Sequence, residues 1–297
     1  MQRYNHSFRA MACDNTIVFD APTHAQANHA AQLAITEVKR IEAKYSRYVA
    51  DSVISLINNQ AGRGFPCRID SESALLLDFA DISYIESDGL FDITSGVLRR
   101  VWNFKATLPP SAAAIATVLP LIGWHRVVRT ADTIYLPAAG MELDFGGFGK
   151  EYAADRAAAT LFDANITNGF VNLGGDIVVL GPQADGTPWS LGVNHPRIAN
   201  QLLVTLDIAQ GAVASSGDYE RFIDVNGTRY SHILSPKTGI SVAGFQAVTV
   251  LAPNAMVAGS ISTIAMLKGE AAGGQWLQAT SFKALSVGAD GQLRHYP

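Results

Sequence analysis

A chain of 297 residues with 48% hydrophobic and only 16% charged residues can bury a large core, as one broad domain or two closely packed lobes. A formal net charge of −4, a pI near 6.0 and the lack of any basic cluster argue against nucleic acid as the main partner. Cys13 and Cys67 stand at no metal-binding spacing, no stretch reaches about 18 uninterrupted apolar residues, and the start MQRYNHSFRA lacks the apolar core of a secretory signal. As written, the sequence therefore predicts a cytoplasmic protein without a membrane span, or a periplasmic one if a leader precedes it.

NTIVFD (15–20) reads as an early strand. THAQANHAAQLAITEVKRIEAKYS (23–46) reads as a long helix, because Ala30, Ala34, Val38, Ile41 and Tyr45 recur at three- and four-residue spacing behind a Thr23 N-cap. SESALLLDFADISYIES (71–87) predicts a second helix, with Leu76, Phe79 and Ile82 or Ser83 on one side, before a turn at SDGLFDITSG. Residues 105–123 predict a loop and a short helix stopped by Pro120 and Gly123, an excursion from the core. RVVRTADTIYLPAAGMELDF (126–145) alternates like paired strands.

KEYAADRAAATLFDAN (150–165) predicts a helix, and GFVNLGGDIVVLG (169–181) a strand interrupted at Gly174-Gly175. The second half is strand-rich: PWSLGVNHP, QLLVTLDIAQGAVASSG, RFIDVNGTRYSHILS with an Asn226-Gly227 hairpin signal, and FQAVTVLAP. A helix from an Asn254 cap to a Gly269 stop follows, then a closing hairpin over FKALSVGADGQLRHY. Strands and helices mix without a regular βαβ repeat, which favours an α+β fold over a doubly wound sheet.

The chemistry concentrates in LDFGGFGKEYAAD (143–155). Gly146, Gly147 and Gly149 could simply turn a strand into a helix. They could also let backbone approach a phosphate, with Lys150 and a helix N-terminus supplying positive charge. Neither standard nucleotide motif fits, because Glu151 follows Lys150 where a P-loop needs Ser or Thr, and Tyr152 stands where a dinucleotide fingerprint needs a third glycine.

Together with GLFDITSG (89–96), VNLGGDIVVLG (171–181), SSGDYERFIDVNGTRYSHILSPKTG (215–239) and the AGSISTIAMLKG helix (258–269), this loop resembles the ApbE family of flavin transferases, the FAD:protein FMN transferases. The resemblance runs over nearly the whole chain. It implies an ApbE-like α+β fold over residues 1–297, with mixed or antiparallel sheets packed against helices. It also implies a reaction in which FAD is split at its pyrophosphate, FMN passes to a Thr or Ser of an acceptor flavoprotein, and AMP leaves with Mg²⁺ assisting. The implied acceptor carries its threonine in a short motif containing Asp, Ser and Ala.

By similarity, Met11, Tyr48, Leu90, Phe91, Asp92, Asp144, Lys150, His232 and Ile233 correspond to family positions that contact FAD. An aromatic such as Tyr48 can stack on a flat ring, and a carboxylate such as Asp144 can accept from ribose or adenine donors. Met11 and Phe91 also suit an ordinary core, and Tyr48 a half-buried surface. His232, in SHILSPKTG, suits either a flavin or phosphate contact or, with a pKa near neutrality, catalytic proton transfer.

The implied metal ligands are the carbonyls of Gly147 and Ser262 and the side chain of Thr263. Gly259 stands where the family has the Asp one turn before that Thr, and Ser235 replaces the Asp of a family DP pair, so two carboxylates are missing. Asp176 and Asp218 are candidates to replace them. A non-catalytic FAD-binding or flavin-delivery protein is the alternative function. Two expectations follow: Lys150→Met weakens FAD binding with little loss of fold, and Gly259→Asp tightens Mg²⁺ binding.

Overall fold

Met11 and Ala12 both hold positive φ, 55° and 59°, the backbone of a tight hairpin turn. They join β1 (Gln2–Ala10) to β2 (Cys13–Ala21) in the computed structural model, which describes residues 1–297. β1 is an edge strand whose inward side, Tyr4, Phe8 and Ala10, is interrupted by the polar His6 and only partly buried, so its alternation is too weak to be read from the sequence. Thr23 caps α1 (His24–Tyr45) as expected, accepting from the Gln26 amide at 3.2 Å, and the five periodic residues are all buried. α2 (Val53–Asn59) was not foreseen; seven residues behind a Ser52 cap are too few to show a period.

β3 (Cys67–Arg68) precedes α3 (Ser71–Glu86), whose inner side uses Ser83 while Ile82 stays exposed. A 3₁₀ turn (Ser95–Arg100) follows, and α4 (Ala112–Val118) lies within the expected 105–123 segment. The alternation over 126–145 yields only β4 (Val128–Arg129) and β5 (Thr133–Tyr135), which pair with each other, β5 also pairing with β3; residues 136–148 form no strand.

α5 (Gly149–Asp163) leads to β6 (Gly169–Leu173) and β7 (Asp176–Gly181), so the Gly174-Gly175 interruption is a hairpin turn. Next come β8 (Trp189–Asn194), β9 (Leu202–Ile208) and β10 (Gly211–Gly217). The single run QLLVTLDIAQGAVASSG is therefore two strands, and they belong to different sheets. β11 (Phe222–Val225) and β12 (Thr228–Ser231) form the hairpin signalled by Asn226-Gly227, with φ of 52° and 82° at the turn. β13 (Ala247–Ala252) enters α6 (Ala255–Ala279), capped by Asn254 and broken at Gly269, where φ is +76°. The expected stop is thus a kink, and helix resumes beyond it. β14 (Ala284–Val287) and β15 (Leu293–Tyr296) close the chain as a hairpin.

The main sheet runs β1-β2-β6-β7-β10-β13-β14-β15, antiparallel throughout. On one face Ile17, Phe19, Val171 and Val178 pack under the alanine-rich sides of α1 and α5. Further along that sheet, Val248 and Val250 meet Ala258, Ile261 and Ala265 of α6. The opposite face carries the β8–β9 hairpin, through Val18, Ile177, Val179, Trp189 and Leu191. β7 is covered on both faces, which explains its unbroken apolar run and places its first residue, Asp176, in the interior. No helix is long and apolar enough to cross a membrane.

Candidate functional site

Two hairpin turns meet at the start of α5. Gly174 and Gly175 take φ of 57° and 101°, and a Cβ on Gly174 would lie 2.9 Å from Cys13 Sγ, so the β6–β7 turn rests on the β1–β2 turn. Both cysteines are free thiols. Lys150, in the first turn of α5, donates to the Gly174 carbonyl at 3.3 Å. Its Nζ is also 2.7 Å from Asp176 Oδ2, an ion pair in distance whose angle falls short of a hydrogen bond. Burial opposes the Lys150 charge, but the Asp176 and Glu151 carboxylates outweigh it and raise the ammonium pKa. Burial likewise pushes the Asp176 and Glu151 carboxyls up, and for Glu151 the neighbouring Asp176 charge adds to the effect.

Glu151 sits between two antiparallel helices. One turn further along α5, Asp155 accepts from the Ala255 and Met256 amides at 2.7 and 3.0 Å, tying α5 to the first turn of α6. One turn further along α6 from Ala255 stands Gly259, and a Cβ there would lie 2.7 Å from Glu151 Cγ and 2.8 Å from Oε1. The glycine leaves the space that the glutamate fills. Glu151 is only 9% exposed, and its Oε2 has no hydrogen-bond partner. Beyond Gly259, the hydroxyls of Ser262 and Thr263 lie 2.8 and 2.9 Å from Ser216 Oγ.

A second group of charges surrounds Asp144. Arg47 reaches Asp144 at 3.2 Å, the Gly96 carbonyl at 2.9 Å and Glu142 at 2.8 Å, while Arg99 approaches Asp144 at 3.3 Å. Arg99 also donates to the Tyr48 hydroxyl at 3.4 Å. Tyr48 is 78% exposed, so it is no half-buried packing residue. His232 lies within the fields of Arg221, Arg99 and Lys150 and so relates the two groups. Burial first, and then those charges, lower its pKa to about 4, and its buried Nδ1 has no partner. The neutrality-poised histidine expected from sequence is corrected: unliganded His232 is neutral and weakly basic.

The other predicted positions divide. Met11, on the β1–β2 turn, donates its amide to Glu42 at 2.7 Å. Phe91 is buried against Phe148, and its ring would lie 3.0 Å from a Cβ on Gly147. Leu90 is half-buried beside it, and Ile233 belongs to the α6-side core. The Asp92 carboxylate accepts from the Thr94 amide and hydroxyl and the Trp124 amide, so this side chain is occupied in holding its own turn. Asp218 is unavailable as a replacement ligand, since Arg197 grips both its oxygens at 2.7 Å.

No group of three or more His, Cys, Asp or Glu side chains converges to hold a metal unaided. The residues present nonetheless suit a hard divalent cation that takes one or two protein carboxylates beside ligand phosphates. An orphaned buried carboxyl oxygen on Glu151 stands with Asp176, and the Thr263 hydroxyl lies one turn along from Gly259. Sequence reading missed Arg47, Arg99 and the role of Glu151. The signal for Glu151 was in view beside Lys150, but its proximity to Gly259 depends on how α5 and α6 pack.

Antiparallel sheet, covering helices and a cationic loop lined by unpaired polar atoms define an α+β protein with a site suited to a phosphate-bearing ligand. A model described as the ApbE family matches residues 11–286, and the chain belongs to that family. It is 29% identical over 257 residues to an FAD:protein FMN transferase of Klebsiella pneumoniae, covering 84% of this chain and 78% of that one. A second such transferase, from Treponema pallidum, is 27% identical over 271 residues, 85% of this chain and 75% of the relative. Among solved structures, the ApbE protein of Thermotoga maritima superposes with a TM-score of 0.89 at 29% identity, covering 99% of this chain and 97% of its own. The flavin transferase ApbE of Vibrio cholerae, at 23% identity and a TM-score of 0.88 over 99% and 96% of the chains, shares the fold. The α+β reading of the sequence is borne out.

Proposed function

We propose that this protein is an FAD:protein FMN transferase, which attaches FMN through a phosphoester to a Thr or Ser of an acceptor flavoprotein. Beyond family membership, the observation that carries this reading is the Lys150 ammonium at the start of α5, next to the unpaired buried Glu151 Oε2 and with a second unpaired buried atom, His232 Nδ1, within its field. Such atoms are costly unless a ligand completes them. In the reaction, the acceptor hydroxyl oxygen attacks the FMN-side phosphorus. The bond from that phosphorus to the bridging oxygen breaks, and AMP departs with the bonding electrons.

Lys150 offsets negative charge on the pyrophosphate. His232 Nδ1 takes the hydroxyl proton; bound phosphates neutralise the surrounding Arg221, Arg99 and Lys150 and so raise its basicity. Tyr48, Phe91 and Leu90, with Met11 and Ile233, contribute flat and apolar surface for the ring systems. Asp144 offers an acceptor, and Asp92 fixes the turn that presents Leu90 and Phe91. Mg²⁺, where bound, supplies further neutralisation of the leaving AMP, with Thr263 and the carbonyls of Gly147 and Ser262 as family-derived ligands.

Incubation with FAD and a candidate acceptor, with and without Mg²⁺, tests the proposal. The expected result is an acceptor mass increased by one FMN unit together with stoichiometric AMP. Bound FAD without AMP release would favour a flavin-binding protein instead, a reading suggested by the loss of carboxylates at Gly259 and Ser235.

A further inference from the structure

Gly259 leaves no gap. The volume that a side chain would enter at this point of α6 holds the Glu151 side chain, which arrives from α5 and would meet a Cβ on Gly259 at 2.7 Å through Cγ and 2.8 Å through Oε1. We propose that Glu151 supplies, from the neighbouring helix, the anionic oxygen that α6 lacks, and that it binds a divalent cation together with Asp176 and the Thr263 hydroxyl.

Three observations carry the proposal. Glu151 is nine-tenths buried yet leaves Oε2 without a partner, a costly arrangement for a group that serves packing alone. Glu151 and Asp176 both stand beside the single Lys150 ammonium, which pairs with Asp176 at 2.7 Å, so a cation entering here would find a second carboxyl that Lys150 does not engage. The placement is also fixed: Asp155, four residues along α5, grips the α6 N-terminus at Ala255 and Met256, which holds Glu151 opposite Gly259. Mg²⁺ taking one or two carboxylates plus substrate phosphates fits this sparse donor set. Gly259→Asp therefore does not fill a vacancy; it drives a new side chain into Glu151, and the tighter Mg²⁺ binding expected from sequence is withdrawn.

The role of the bound phosphates rests on the transferase reading, so the test keeps the two separate. Mg²⁺ is titrated into wild type, E151Q, G259D and the exchanged pair E151G/G259D, with and without FAD. Melting temperature is followed, Mn²⁺ occupancy is measured by electron paramagnetic resonance, and metal-free FAD binding by flavin fluorescence. E151Q should keep its metal-free melting temperature while needing about tenfold or more cation for half-occupancy. G259D alone should melt lower than wild type, and the exchanged pair should recover cation binding. Cation binding by E151Q equal to wild type overturns the proposal, as does a wild type that binds neither Mg²⁺ nor Mn²⁺. Loss of cation binding in E151Q, in a protein that never binds FAD, would leave Glu151 as ligand and sink the transferase reading instead.

Discussion

Around Asp144 every charged group is paired: Arg47 meets Glu142 and Asp144, Arg99 meets Asp144, and Arg100 meets Glu142 at 2.5 Å. Around Lys150 the pairing is incomplete, because one ammonium faces both Asp176 and Glu151, and Glu151 Oε2 is left without a partner in the interior. The first region is complete in the protein alone and serves as a scaffold. The second is complete only with something bound. Closely similar side chains thus do different work, and burial decides which.

Removing the single cation from the incompletely paired region should have the greatest consequence. Lys150→Met leaves Asp176, 2% exposed, next to a second carboxyl without its counter-ion, and breaking such a buried pair costs about 3 kcal/mol or more. Thermal or urea unfolding should show this loss alongside weakened FAD binding. The sequence suggested a loss of affinity with the fold intact; the Asp176 contact adds the stability cost. If Lys150→Met melts with wild type, Asp176 is neutral in the folded protein and its pair with Lys150 does not hold the fold.

The next test concerns His232, which lies in the field of both regions. Its folded pKa of about 4 lies below the ordinary 6.5, so its contribution to stability is complete above pH 6.5 and is lost as pH falls toward about 4. The difference corresponds to roughly 3 kcal/mol between those limits. Asp155 acts in the opposite sense: burial raises its pKa to about 6, so its contribution is fullest below the usual carboxylate range and is lost as pH rises through about 6. Stability curves of wild type and His232→Gln should therefore diverge on acidification below pH 6.5. A ring resonance titrating near 6.5 in the unliganded protein would remove the basis of this prediction.

The contrast also explains what could be read from sequence. Periodicity and caps exposed α1 and α6, and Asn226-Gly227 exposed the β11–β12 hairpin, because these are local signals. β1 was hidden because its inner face of Tyr4, Phe8 and Ala10 is broken by His6, and β9 and β10 were fused because nothing local says that neighbouring strands join different sheets. The resemblance brought Lys150, Asp144 and His232 into view through their motifs. It directed attention to Gly259 as a loss, whereas Glu151 fills that space from a helix more than a hundred positions away in the chain. Substitutions that exchange places across a helix pair are invisible until the helices are packed.

Tyr48 offers the mildest perturbation, and it bears on the fully paired region. Its side chain is 78% exposed, with one long hydrogen bond from Arg99 at 3.4 Å and the Arg47 guanidinium 5.8 Å from the ring centre. Neither contact holds the fold, so Tyr48→Ala should change stability by no more than about 0.5 kcal/mol. If the ring is a stacking platform, the same substitution should weaken FAD binding by about fivefold to tenfold, the order of one aromatic stacking contact. Tyr48→Phe should bind nearly as wild type, since the face of the ring and not its hydroxyl makes the contact. Comparing FMN with AMP identifies the partner ring: a loss confined to FMN places the isoalloxazine over Tyr48, and a loss confined to AMP places the adenine there. FAD affinity unchanged in Tyr48→Ala would assign the residue to the Arg47–Asp144–Arg99 scaffold alone and remove it from the flavin site.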